Sequence, residues 1–338
     1  MIAEAILARR PEQGPRPFNM RRDLQQLADL IDLAFAAEIE PSRSSIVAEM
    51  RRLAKAGPLL WLLDASYATL SPLMGGYVWI EHGKLVGNVT LSAESSQRGM
   101  WIITNVAVHP DFRGRGIARQ LMAAALDEAH SNGAHSIVLE VQSENAPAQQ
   151  LYRTLGFKRY DTITELRLAA LRVSGQRHSP SPALRKRRPG DWQVLYDFFQ
   201  AVTPLEVQAV KPVLSDHYRM DIGMRLSRWL DDLTYRRQKS DWILEQDGKI
   251  SAVLQITGQY SEAAHRLQLD VHPERRGAIE DALLAAALHA LSAFAERDVF
   301  STVSASHPQA LDAFHRNGFQ TVRILDQMVL QDPTERTT

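Results

Sequence analysis

Apolar and polar residues alternate along the chain with two distinct periods, and both occur twice. Residues 23–37, DLQQLADLIDLAFAA, place Leu24, Leu27, Ile31, Ala34 and Phe35 on one face of a helix. A second helix is predicted over 43–55, where Gly57-Pro58 stops it. Short apolar runs at 59–64 and 76–80 predict strands. The turn His82-Gly83-Lys84 between WI and LVGNVTL predicts a hairpin. MWIITNVAV (100–108) then predicts a strand, 117–131 a helix, SIVLEV (136–141) a strand, 146–154 a short helix and 160–168 a last strand.

The second half of the chain repeats this order. WILEQDGKISAVLQI (242–256) echoes YVWIEHGKLVGNVTL (77–91), and LDVHPERRG (269–277) echoes VAVHPDFRG (106–114). The helix predicted over 279–294 echoes 117–131, and ALDAFHRNGF (310–319) echoes AQQLYRTLGF (148–157). RKRRPGDWQVLYDFFQAVT (185–203) echoes the opening RPFNMRRDLQQLADLIDLAF. The offset is 163 residues at His109/His272 and 162 at Gly156/Gly318, so the chain reads as an internal duplication. The fold class expected is α/β (α+β), each copy a mixed, mostly antiparallel sheet with helices on both faces. The stretch 171–190 has Pro180, Pro182 and Pro189, with Ser and Gly and no apolar period, and reads as a linker. The domains expected are 16–170 and 185–330, joined by 171–184. The RKRR run at 185–188 is expected to be a solvated charged surface, the alternative being a contact with the acidic C-terminal half or with the phosphates of a ligand.

The 338 residues are enough for two domains, and the absence of cysteine removes disulfides, thiolate nucleophiles and cysteine metal ligands. Net charge is zero, but unevenly laid out. Residues 1–170 carry 18 basic and 18 acidic side chains, 171–190 six basic and none acidic, and 191–338 15 basic and 21 acidic. Neutrality argues against a nucleic-acid partner. No run approaches the roughly 20 apolar residues of a membrane span, and the opening MIAEAILARR has the wrong order for a secretory signal. A cytoplasmic location is expected, with no membrane partner and no metal, as a monomer or homodimer.

The strongest chemical motif is V-A-V-H-P-D-F-R-G-R-G-I-A-R (106–119), set between a strand and a helix. Glycine admits unusual φ and close backbone approach, and the free N–H groups at a helix start favour an anion. Arg113 and Arg115 add positive charge. The loop is a phosphate cradle. It is not a P-loop, since no GxxxxGK[ST] occurs, and GRGIA is not GxGxxG.

These residues resemble the GCN5-related N-acetyltransferase (GNAT) superfamily in a tandem two-domain form. Arg113, Gly116 and Ala118 meet its [QR]xxGx[GA] signature, and 145–157 meet its N-x-x-A-x-x-L-Y-x-x-x-G-F wording through Asn145, Ala148, Leu151, Tyr152, Gly156 and Phe157. The resemblance implies an acetyl-CoA co-substrate and an amine acceptor, either a small molecule or a protein amine. It implies that the backbone of 113–118 (Arg113, Gly114, Arg115, Gly116, Ile117, Ala118) holds the pyrophosphate. It implies that the strand ending in Val106, Ala107 and Val108 parts from 136–141 to admit the pantetheine arm. Asn145 would contact the cofactor and Tyr152 would protonate the leaving thiolate. The general base is left open, because Trp101–Asn105 holds no acid. Glu81, His82 and Glu94 are weak candidates, and Glu140 lies on a strand whose facing is undetermined. His109 reads as structural. The acceptor region implied, 38–58, holds Glu38 and Glu40. Without cysteine, transfer would be direct. The alternatives are a non-catalytic acyl-CoA-binding regulatory module and an N-acyltransferase with another donor.

The second copy departs from the motif. After Arg276-Gly277 it reads Ala278-Ile279-Glu280-Asp281, losing the second glycine and putting acid in the first helical turn, where it would compete with a phosphate. Phe314 stands where the first copy has Tyr152, and His307 or a neighbour where it has Asn145. One active site, in the N-terminal copy, is expected.

Overall fold

The structure is a computed structural model, and it describes residues 13–35, 75–169, 183–219, 234–246 and 248–331, with single positions inside 47–54 and 223–232. The strand expected at 59–64, most of the helix at 43–55, Glu38, Glu40 and linker residues 170–182 lie outside the described residues. The chain divides into two compact units. The first comprises residues 1–140, 147–158 and 328–338, and the second 141–146 and 159–327.

In the first unit the strands run in the order β1 (Gln13–Pro17), β2 (Gly76–Glu81), β3 (Lys84–Ala93), β4 (Met100–Val108) and β5 (Ser136–Gln142). All neighbours are antiparallel except β4 and β5, which are parallel. His82 (φ 48) and Gly83 (φ 77) make the β2–β3 turn with both central residues left-handed, the twist-matched form for a two-residue hairpin. β3 is buried from Leu85 to Leu91 because helices cover both of its faces. On one face α1 (Met20–Ala34) packs Leu27, Ala28, Leu30 and Ile31 against Val78, Ile80, Leu85 and Ala107. On the other lies α2 (Ile117–Ser131). It sits so close that a Cβ on Gly87 would stand 3.0 Å from side-chain carbons of both Ile117 and Leu121. That glycine sets the height of the helix whose start carries the cradle.

In the second unit the order is the first part of β12 (Gln320–Gln331), then β6 (Lys158–Leu168), β11 (Val299–Ser304), β10 (His265–Val271), β9 (Lys249–Gln259), β8 (Arg237–Gln246) and β7 (Leu184–Lys186). The helix α3 (Ala146–Thr154), which precedes β6 in the chain, belongs from Pro147 onward to the first unit. The helix α4 (Trp192–Val202) packs Leu195 and Phe198 on Ile243, Ile250 and Val253. A short helix, α5 (Leu205–Gln208), follows it. On the opposite face α6 (Glu280–Leu291) and α7 (Pro308–Arg316) bury Leu283, Leu284, Leu288 and Phe314 against Leu254, Leu267 and Val271.

The duplication extends to single hydrogen bonds. The N–H of His109 donates to the Val86 carbonyl (2.8 Å) and that of His272 to the Ser251 carbonyl (2.9 Å). Each imidazole Nδ1 caps the turn it starts, accepting from the N–H of Asp111 or of Glu274. Arg113 Nε and Arg276 Nε each donate to the last carbonyl of the preceding strand, Val108 and Val271. Arg16 grips buried Asp23 with two 2.6 Å bonds, and Arg185 grips Asp191 at 2.7 and 3.1 Å.

Two features differ from the sequence reading. The RKRR run is exposed only at Lys186 and Arg188, and its other two members take the alternative expected, contact with acidic residues of the C-terminal half. Arg185 pairs with Asp191 and Glu245, and Arg187 with Asp241 and the Tyr218 carbonyl. Acidic partners on the following turn and on β8, far off in sequence, account for it. The strand 158–168, last of the first repeat in sequence, pairs antiparallel with β11 in the second unit, from Ile163↔Ser304 to Leu168↔Val299. The chain from Met328 belongs in turn to the first unit.

Candidate active site

The site is built at the end of β4. Parallel pairing with β5 runs from Met100↔Ser136 to Ile103↔Leu139 and stops. From Thr104 onward β4 has no partner on that side in the register, so its edge is open, as the resemblance implied. The first two positions past the last pair are Thr104 and Glu140, and both are exposed. The last pair, Ile103↔Leu139, shares a face, and successive side chains of a strand alternate, so Thr104 and Glu140 both turn to the opposite face.

After Val108 the chain turns through Pro110–Phe112 and enters α2 through Gly114 and Gly116, at φ 75 and 77. A left-handed residue with a Cβ is strained, so both positions call for glycine. A Cβ on either would meet nothing within 4 Å, so the space in front of the loop is open. Among the described residues, the N–H groups of Gly114, Arg115, Gly116, Ile117, Ala118 and Arg119 donate to no protein acceptor, the first helical bond being Gln120 N–H to the Gly116 carbonyl (3.2 Å). Six free donors at a helix N-terminus suit the oxygens of a pyrophosphate. The run begins one residue later than the sequence reading placed it. The Arg113 N–H is spent on the Pro110 carbonyl (3.2 Å) and its guanidinium on Val108. Arg115 stacks on Phe112 and pairs with Glu81 (3.1 Å), and Arg119 reaches Thr154 of α3 (3.1 Å).

Tyr152 is buried, 5% exposed, with its ring edge-to-face on Phe157. Burial alone pushes its hydroxyl up to about 12, so it holds its proton at any physiological pH. Asn145 lies exposed in the turn before α3, its N–H donating to the Gln142 carbonyl (2.9 Å). Of the expected strand residues, Ala107 is in the core under α1, and Val108 pairs with Gly87.

Neither carboxylate suggested as a base stands at the open edge. Glu81 is engaged by Arg115, with β3 between its strand and β4. Glu94 accepts from the Ser96 N–H and hydroxyl in the turn at the far end of β4. That turn is about 16 Å from Asn105, taking roughly 3.3 Å per strand residue. His82 is committed to the hairpin turn. The carboxylate at the edge is Glu140. Counting the parallel register from Met100↔Ser136 finds it, and no local pattern does. No cluster of three or more His, Asp or Glu suited to a metal occurs among the described residues.

The corresponding loop of the second unit is filled from within. The Glu280 carboxylate accepts the N–H of Gly277 (2.8 and 2.9 Å) and of Ile279 (3.1 Å), and His307 Nε2 lies 3.0 Å from it. Phe314 packs edge-to-face on Phe319, as Tyr152 does on Phe157, but offers no hydroxyl. Burial opposes the charge on Glu280, yet the Gly277 N–H and His307 outweigh it and hold the carboxyl below its ordinary value. Burial likewise lowers His307, despite Glu280, so the ring is a neutral donor. Both folded values are depressed, so the unfolded chain takes up protons first as pH falls. The second unit should therefore lose stability as pH drops below 6.5 and further below 4.5, the two ordinary values. Thermal unfolding from pH 7 to pH 4 checks this. Glu280→Gln should flatten the lower part of the dependence, and an equally steep fall in that variant would rule out the assignment.

Residues 45–157 match the acetyltransferase (GNAT) family. The match takes in about a third of the chain. N-alpha-acetyltransferase 30 of Schizosaccharomyces pombe is 34% identical over 90 residues, which are 26% of this chain and 59% of that protein. The [ribosomal protein bS18]-alanine N-acetyltransferase of Salmonella typhimurium is 45% identical over 53 residues, 16% of this chain and 36% of that one. The chain thus spans between about a third and three fifths of these relatives. A GCN5-related N-acetyltransferase from Sphaerobacter thermophilus has the same fold (TM-score 0.63, 16% identity), covering 95% of this chain and 96% of its own. So has a tandem GNAT protein from the clavulanic acid biosynthesis pathway (TM-score 0.57, 17% identity), covering 96% and 100%. These likenesses show the fold, which is that of tandem GNAT proteins.

Proposed function

We propose that this protein transfers the acetyl group of acetyl-CoA to a primary amine, using a site in its first unit. The observation that carries the reading is the parting of β4 from β5 directly before a run of free backbone donors. The donors from Gly114 to Ala118 take the pyrophosphate, with Arg115 and Arg119 adding charge. The open edge of Val106–Val108 pairs with the amides of the pantetheine arm and lays the thioester along the strand. The acceptor amine enters beside Glu140, which takes its proton. The nitrogen attacks the thioester carbonyl carbon, the C–S bond breaks, and the Tyr152 hydroxyl gives its proton to the leaving thiolate. The relatives' names, an N-alpha-acetyltransferase and a ribosomal-protein alanine N-acetyltransferase, favour an α-amine at a peptide N-terminus as acceptor.

Thiol release from acetyl-CoA, measured with a panel of N-terminal peptides and small amines, tests this. Release that depends on the amine supports it, and none with any acceptor sinks it. Glu140→Gln should lower kcat about 10²-fold or more near neutral pH, less at high pH where the amine is already deprotonated. An unchanged pH profile in that variant would remove Glu140 as the base.

A further inference from the structure

The strand that lines the open edge is irregular at one point. Asn105 has φ 50, a left-handed conformation that costs a side-chain-bearing residue energy and that asparagine tolerates better than most. The register with β3 shifts there. Asn88 faces Ala107 and Thr90 faces Thr104, so one residue of β3 lies across from Asn105 and Val106. This is a β-bulge. A bulge leaves backbone groups outside the ladder, and something must hold them.

Two buried side chains do so. Asn88, 1% exposed, donates from Nδ2 to the Asn105 carbonyl (3.0 Å) and to Thr90 Oγ1 (3.3 Å). Asn105 Nδ2 in turn donates to Thr90 Oγ1 (3.4 Å). An asparagine in the middle of a covered strand is costly unless satisfied, and here its amide is spent on one irregular peptide. In a trans peptide the carbonyl and the following N–H point in opposite directions. With the Asn105 carbonyl drawn to Asn88 on the β3 side, the Val106 N–H is aimed away from β3, where β5 has already parted.

We propose that Asn88 is a positioning residue for acyl transfer. It clamps the Asn105–Val106 peptide so that the Val106 N–H meets the thioester oxygen as it gains charge. The inference rests on the function proposed above. Such a fixed donor contributes mainly to the step in which the oxyanion forms.

The test is Asn88→Ala in the full chain, with kcat from thiol release and with acetyl-CoA and CoA affinities by calorimetry. CoA lacks the thioester oxygen, so the ratio of the two affinities reads the Val106 donor without turnover. The expected result is a kcat lower by about 10–100-fold, a reduced preference for acetyl-CoA, and CoA affinity within about twofold of wild type. Glycine holds φ 50 without a clamp, so adding Asn105→Gly to Asn88→Ala should restore most of the kcat. If Asn88→Ala does not fold, Asn88→Leu keeps the volume, removes the donor to the Asn105 carbonyl, and is read in the same way. A variant matching wild type in both kcat and affinity ratio overturns the role of Asn88, and so does a loss that Asn105→Gly leaves uncorrected. A wild-type chain that binds neither CoA nor acetyl-CoA overturns the proposed function itself. One that binds without turnover leaves the affinity ratio to decide.

Discussion

Tyr152→Phe is expected to lower kcat by about 10²–10⁴-fold while leaving acetyl-CoA affinity nearly unchanged. The ring is buried against Phe157, and the substitution keeps that contact while deleting only the hydroxyl. The second copy already carries this change at Phe314, in the same edge-to-face pair, so the packing accepts it. The hydroxyl is raised to about 12 by burial, and a raised acid stays protonated throughout the usable range. Loss of the proton would cut activity only as pH approaches that value, so wild-type kcat should show no falling limb from this group below about pH 10. Stopped assays over pH 6–10 with a saturating donor check both statements. A variant with wild-type kcat would remove Tyr152 as the acid.

Gly116→Val is expected to abolish the cofactor site. At φ 77 a β-branched residue is strained, and its Cβ would project into the open space before the loop. Relieving that strain rotates the N–H groups of Gly116 and Ile117 away from their common target. Two charge-assisted hydrogen bonds are at stake, at about 1.5–3 kcal/mol each, so acetyl-CoA affinity should fall by at least about 100-fold. The added side chain would project into open space and not into the core that begins at Ile117, so the thermal midpoint should fall only slightly. Calorimetry and a melting curve on the same preparation separate the two effects. Retained affinity would place the phosphates elsewhere.

Much of this is legible in the amino-acid sequence. The helix 117–131 and the strand 100–108 follow from apolar period and bounding glycines, and the structure places them at Ile117–Ser131 and Met100–Val108. The cradle is written locally too, since glycine and a helix start must adjoin for its donors to converge. Other features depend on partners distant in sequence. The strand 158–168 has a pattern any sheet edge could accept, and nothing within it selects β11. Glu140 needed a register count between two strands to acquire a facing. The bulge at Asn105 is held by Asn88 and Thr90 from the neighbouring strand. Acid in the first turn of the second copy is visible in the sequence. That Glu280 turns back onto Gly277 and meets His307 requires the fold.

The central claim is that the first loop holds an acyl-CoA and the second, filled by Glu280, does not. Calorimetric titration of the full chain with acetyl-CoA tests it most directly. One site per chain, absent in Gly116→Val and unchanged in Phe314→Leu, is the predicted result. Two sites per chain, or a single site that survives Gly116→Val, would contradict it.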